Sequence, residues 1–105
     1  CLVCIEKGEA LRKSISYKVR WCDSEQFDIN GYESFYGFIA GMLAGNYDIK
    51  GIYIDGIIKI GGPDFAELGS TLEKLSKLTG DDTDIVFTIS ADKSELPASV
   101  TKFIK

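Results

Sequence analysis

Ile49-Lys50-Gly51-Ile52-Tyr53-Ile54-Asp55-Gly56-Ile57-Ile58-Lys59-Ile60 is the stretch on which the fold turns. Two apolar runs rich in β-branched residues flank Asp55-Gly56. That dipeptide tolerates the positive φ angles of a two-residue primed turn, so the stretch reads as a β-hairpin. Such a turn sets the register, with Ile54 opposite Ile57 and Tyr53 opposite Ile58. Ile49, Tyr53, Ile58 and Ile60 then share one face, and Ile52, Ile54 and Ile57 share the other. Both faces are apolar.

Outward toward the N-terminus, Tyr32, Phe35, Tyr36, Ile39 and Leu43 recur at helical spacing, with Asn30 placed to cap the start and Gly45-Asn46 to end the helix. Gly37, Gly41 and Gly45 repeat every four residues on one side. Each costs nearly ~1 kcal/mol of helix propensity relative to alanine, which predicts close approach of another backbone. Before the helix, Ile15, Tyr17, Val19 and Trp21 alternate with Ser16, Lys18 and Arg20 at the period of a half-buried strand. Cys1 to Ile5 reads as an additional edge strand joined to it through residue 14.

Outward toward the C-terminus, Gly61-Gly62-Pro63-Asp64 opens a second helix, with Pro63 and Asp64 suited to its first positions. Phe65, Leu68, Leu72 and Leu75 line its inner side, and Gly80 stops it. Ile85 to Ser90 alternates as a final strand. Asp92, Ser94 and Glu95 then start a short last helix, whose stripe is Leu96, Val100 and Phe103.

From Ile15 the order is βαββαβα. It predicts an α+β open-faced sandwich, a mainly antiparallel four-stranded sheet with the helices on one face, in a single domain over residues 1–105. The ferredoxin-like arrangement is the alternative. Gly45-Asn46-Tyr47-Asp48 closing the first helix, the Asp55-Gly56 turn, the second helix, the strand Ile85 to Ser90 and the closing helix together resemble the layout of the HPr phosphocarrier family. Members of that family carry a phosphorylated histidine where the first helix begins. The matching stretch here is Asp28-Ile29-Asn30-Gly31-Tyr32, and the chain contains no histidine, so the resemblance does not extend to phosphotransfer. The family's regulatory serine is also missing, and Asp64 stands in that region.

A chain of 105 residues suffices for one hydrophobic core. With 45% apolar and 27% charged residues it has ordinary globular composition, not that of a disordered tail. Twelve basic residues against sixteen acidic ones give a net charge of −4, which repels phosphate backbones and anionic bilayers and argues against nucleic-acid or membrane partners. No apolar run approaches the ~20 residues of a membrane span, and no signal sequence stands out, which points to a cytoplasmic chain.

The candidate chemistry is thin. Cys1-Leu2-Val3-Cys4 has redox and metal spacing, but three thiols without histidine do not complete a structural zinc set. Cys22, between Trp21 and Asp23, has no histidine to activate it, and the adjacent carboxylate would raise its pKa. Asp81, Asp82 and Asp84 lack the spacing of a calcium loop. Gly61-Gly62 lacks the lysine of a phosphate-binding loop. An enzyme working through carboxylates or Cys22 is therefore the least favoured class, and no cofactor or metal is expected.

Two binding readings remain. If the helices cover one side of the sheet, Ile52, Ile54 and Ile57 form an uncovered apolar patch suited to a protein partner or to self-association. Cover by the Cys1-to-Ile5 segment is the competing outcome. Alternatively Asp23, Glu25 and Asp28, with Tyr32 beside them, form an acidic and aromatic surface of an inhibitor or immunity-type protein that blocks a basic enzyme or toxin. The first reading, a non-catalytic protein-binding or regulatory module, is preferred.

Overall fold

A computed structural model describes residues 1–104. Four strands, β1 (Leu2–Glu6), β2 (Arg20–Asp23), β3 (Gly51–Asp55) and β4 (Asp84–Phe87), form one sheet in the order β2-β1-β3-β4. Every pairing in it is parallel. The helices are α1 (Tyr32–Gly45), α2 (Ile57–Gly61), α3 (Phe65–Thr79) and α4 (Ala98–Thr101), with 3₁₀ turns at Ser24–Phe27 and Lys93–Glu95. The mainly antiparallel open-faced sandwich expected from the sequence is overturned, and so is its ferredoxin-like alternative.

The error lies at Asp55-Gly56. A type I′ turn needs positive φ at both central residues, whereas only Gly56 has it, at 69°, and Asp55 does not. The chain therefore does not fold back. Gly56 N–H donates to Thr88 Oγ1 at 2.8 Å and Ile57 N–H to the Thr88 carbonyl at 3.1 Å, after which the chain turns into α2. A short apolar run fits a strand or a buried helical turn equally well, and here Ile57 and Ile60, three residues apart, both enter the core.

Without that hairpin the sheet must draw on another strand, and the expected edge segment supplies it at the centre. β1 pairs with β2 on one side and β3 on the other. Its near-continuous apolar run suits a parallel strand buried on both faces. The strand expected from Ile15 is confined to Arg20–Asp23, and residues 7–19 instead form a series of turns, called the strap below.

Register places Val3, Ile5, Ile52, Ile54, Ile85 and Phe87 on one face of the sheet. Against it pack Tyr32, Phe35 and Ile39 of α1 and Leu68, Leu72 and Leu75 of α3, within one hydrophobic cluster. α3 ends at Gly80 as read, with φ of 54°, but starts later: Asp64 is its N-cap, its carboxylate accepting from Glu67 N–H at 3.1 Å, and Pro63 lies before the helix instead of at its first position. α1 is capped differently. Gly31, not Asn30, occupies its N-cap with φ of 94°, and Asn30 N–H donates to Ser34 Oγ.

The glycine stripe of α1 is not a packing surface. Gly37, Gly41 and Gly45 are exposed, and a Cβ at any of them would meet nothing within 4 Å. Close approach occurs instead at Gly61, where a Cβ would clash with the Tyr32 ring. Tyr32 also donates through its hydroxyl to the Gly62 carbonyl at 2.6 Å, fixing the start of α1 to the α2–α3 connection.

Candidate functional site

Alternation along each strand leaves Leu2, Cys4, Glu6, Trp21, Tyr53 and Val86 on the second face of the sheet, away from the helices. Parallel sheets are almost always covered on both faces. Here the cover is the strap alone, and it reaches only part of the way.

Three anchors hold the strap over β1 and β2. Glu6, only 2% exposed, accepts from Leu11 N–H at 2.9 Å and from Trp21 Nε1–H at 2.7 Å. Asp23, also buried, accepts from Gly8 N–H at 2.9 Å, with Gly8 in a positive-φ conformation. The Arg12 guanidinium lies over the Trp21 ring, 5.1 Å from its centre, in the range of a cation–π contact.

Cover declines across the sheet. Cys4 on β1 is 3% exposed, Tyr53 on β3 is 38% and Val86 on β4 is 56%, while Leu2 at the start of β1 is 54%. The result is a groove of about 750 Å³, walled on one side by Leu11, Ile15 and Val19 of the strap and floored by Cys4, Tyr53 and Val86. Its lining is mainly apolar, and Lys50, Asp84 and Ser14 supply polar groups. A hollow of about 480 Å³ lies between β4 and the C-terminal segment, among Phe87, Leu96 and Phe103.

The crevice at the carboxyl ends of the strands, between β1 and β3, is where doubly wound sheets usually bind ligands. Here its groups are already engaged. Glu6 holds the strap, Asp23 accepts from Glu25 N–H as well as from Gly8, and the Asp55 carboxylate accepts from Thr88 Oγ1 at 3.4 Å. Among the described residues no three His, Cys, Asp or Glu side chains gather as a metal-holding group.

The two buried thiols, Cys4 and Cys22, have little nucleophilic character. Burial pushes the Cys4 thiol up, and the carboxylates of Glu6 and Asp55 add to the effect. Burial likewise raises Cys22, with Arg20 opposing it. A thiol raised in this way is mostly protonated at neutral pH and reacts slowly.

The residues singled out from the sequence fall elsewhere than expected. Ile52, Ile54 and Ile57 are 2%, 0% and 0% exposed, so the patch they were to form does not exist and they belong to the core beneath the helices. The physical reason is the missing hairpin: β3 presents Ile52 and Ile54 to α1 and α3, and Ile57 enters α2. Tyr32 is buried too, which removes it from any surface. Of the acidic trio, Asp23 turns inward as the cap of the Ser24–Phe27 turn, while Glu25 and Asp28 remain exposed.

The residues that make the groove went unrecognised as a group. A signal was present, since Leu11, Ile15 and Val19 are spaced by four and all lie half-buried against the sheet, while Tyr17, which period-two alternation would bury, is almost fully exposed. No helix among the described residues is long and apolar enough to cross a membrane. Compared with protein-family models, curated proteins and solved structures, the chain finds no match in any of the three.

Proposed function

We propose that this protein is a non-catalytic binding module that docks protein surface on the uncovered half of its sheet. The observation behind the reading is the gradient of cover from Cys4 through Tyr53 to Val86 on a parallel sheet. A sheet of this kind normally carries a second layer, and apolar side chains left without one gain roughly 25 cal/mol for each Å² they remove from water on docking. Tyrosine at the centre of such a surface supplies contact area at low entropic cost. The engaged carboxylates and raised thiols support a role in binding over one in catalysis.

A photo-crosslinking amino acid at position 53, compared with one at the more exposed position 47 beyond α1, tests the reading in native extract. Adducts of discrete mass from position 53 and none from position 47 are expected. Equal labelling from both positions, or none from either, would overturn it.

A further inference from the structure

We infer that the occupant of the uncovered face is a second copy of this chain, packed about a two-fold axis parallel to the strands. The inference rests on the docking reading above and names its partner. Its first support is relief. The strap rises over β1 and β2, held there by Glu6, Asp23 and Trp21, and leaves β3 and β4 low and open. A two-fold axis lying between two such faces and running along the strands carries the β2–β1 side of one copy onto the β3–β4 side of the other. Each strap then fills the hollow left by its partner, and the contact is self-complementary as an isologous interface requires.

The second support is charge. Within the strap stand Lys7, Arg12, Lys13 and Lys18, four cations against the single carboxylate of Glu9, which pairs with Arg12 at 3.6 Å. On the opposite rim, where the chain enters β4, stand Asp81, Asp82 and Asp84, all exposed. The same rotation that sets strap into hollow sets the basic strap against the acidic rim, twice over. An axis perpendicular to the strands would instead set strap against strap, where shape and charge both oppose contact. Because the net charge is −4, two copies repel weakly at long range, and this local pairing selects the register of their approach. Leu2, Tyr53 and Val86 would lie between the two sheets.

Sedimentation velocity on the full chain across about two decades of concentration tests the inference, because a dimer in equilibrium with its monomer shifts by mass action. The expected result is a mass rising toward twice 11.5 kDa. Val86→Lys, at a site exposed enough to spare the fold, is expected to weaken association by roughly tenfold or more, whereas Tyr47→Lys leaves it unchanged. Trp21 fluorescence confirms that each variant is folded.

A mixing experiment tests the arrangement itself. One variant reverses the strap (Lys13→Glu with Lys18→Glu) and another reverses the rim (Asp82→Lys with Asp84→Lys). Each alone sets like charges together and is expected to be monomeric, while an equimolar mixture pairs opposite charges at both contacts and recovers the dimer. A mixture that stays monomeric, or a native chain monomeric at every concentration, overturns the inference. If the native chain is monomeric yet position 53 still yields adducts of another mass, docking stands and self-association alone fails. If position 53 yields none, both fail.

Discussion

Trp21 donates through Nε1 to the Glu6 carboxylate at 2.7 Å, tying two neighbouring parallel strands together on the side of the sheet that carries no helix. The same carboxylate accepts from Leu11 N–H, so one buried acid fixes both the edge strand and the strap that covers it. Glu6→Ala leaves both donors without their charged partner. Hydrogen bonds to a charged group contribute ~1.5–3 kcal/mol each, and relief of the buried charge offsets part of that. A net loss of about 2–3 kcal/mol is expected in urea unfolding, with a red shift of Trp21 emission in the folded state as the strap lifts.

Ile54 lies at the centre of the helix-covered face and is fully buried. Ile54→Ala is expected to cost ~2–5 kcal/mol, the range for deleting a large aliphatic side chain from a packed core. Ile54→Lys should abolish cooperative unfolding. A folded, soluble Ile54→Lys protein would place this residue on a surface and contradict the register of β3.

Tyr32 gives the stability a pH dependence at the alkaline end. Burial, aided by the carboxylates of Glu67 and Asp64, pushes its phenol up to about 12, against ~10 in an unfolded chain. Between those values the unfolded state releases its proton first. The contribution is therefore complete below ~10 and is lost as pH rises through about 12, by up to ~3 kcal/mol. Tyr32→Phe should cost ~1 kcal/mol at neutral pH, from the bond to the Gly62 carbonyl, and should flatten the decline between pH ~10 and ~12. Equal alkaline slopes for the two proteins, followed by chemical denaturation, would contradict the assignment.

Glycines of similar appearance should respond in opposite ways. Gly37→Ala and Gly41→Ala place a methyl in open space on an exposed helix face, and each is expected to raise stability by ~0.5–1 kcal/mol. Gly61→Ala drives a Cβ into the Tyr32 ring and should lower it by about 1–3 kcal/mol. Thermal melts of the three variants separate the cases.

Thiol labelling should follow burial. Cys1 is exposed, whereas Cys4 and Cys22 are buried with raised pKa values. Iodoacetamide at neutral pH is expected to modify position 1 within the time that positions 4 and 22 stay largely intact, and denaturant should equalise all three. Rapid labelling of Cys4 in the folded chain would show that the strap leaves β1 uncovered.

Local chemistry carried part of this fold into view. Asp64, Glu67 and Gly80 mark the start and stop of α3 through bonds made within a few residues of themselves, so the sequence alone sufficed to place that helix. The inward stripe of Phe35 and Ile39 was legible for the same reason, since helical periodicity is written in neighbouring positions. So were the lack of histidine and the acidic balance, both properties of composition alone.

Strand direction and the site depended on partners far along the chain. Whether Asp55-Gly56 reverses the chain rests on Thr88, 32 residues beyond Gly56, which accepts the hydrogen bonds that lead β3 into α2. Isoleucine fits a strand and a buried helical turn alike, so nothing within Ile57–Ile60 could decide between them. The groove depends on longer-range relations still, for its floor comes from three separate strands and its wall from turns held by Glu6 and Asp23. Which side of a sheet lies bare is a property of what the rest of the chain fails to cover, and only the assembled tertiary structure sets that.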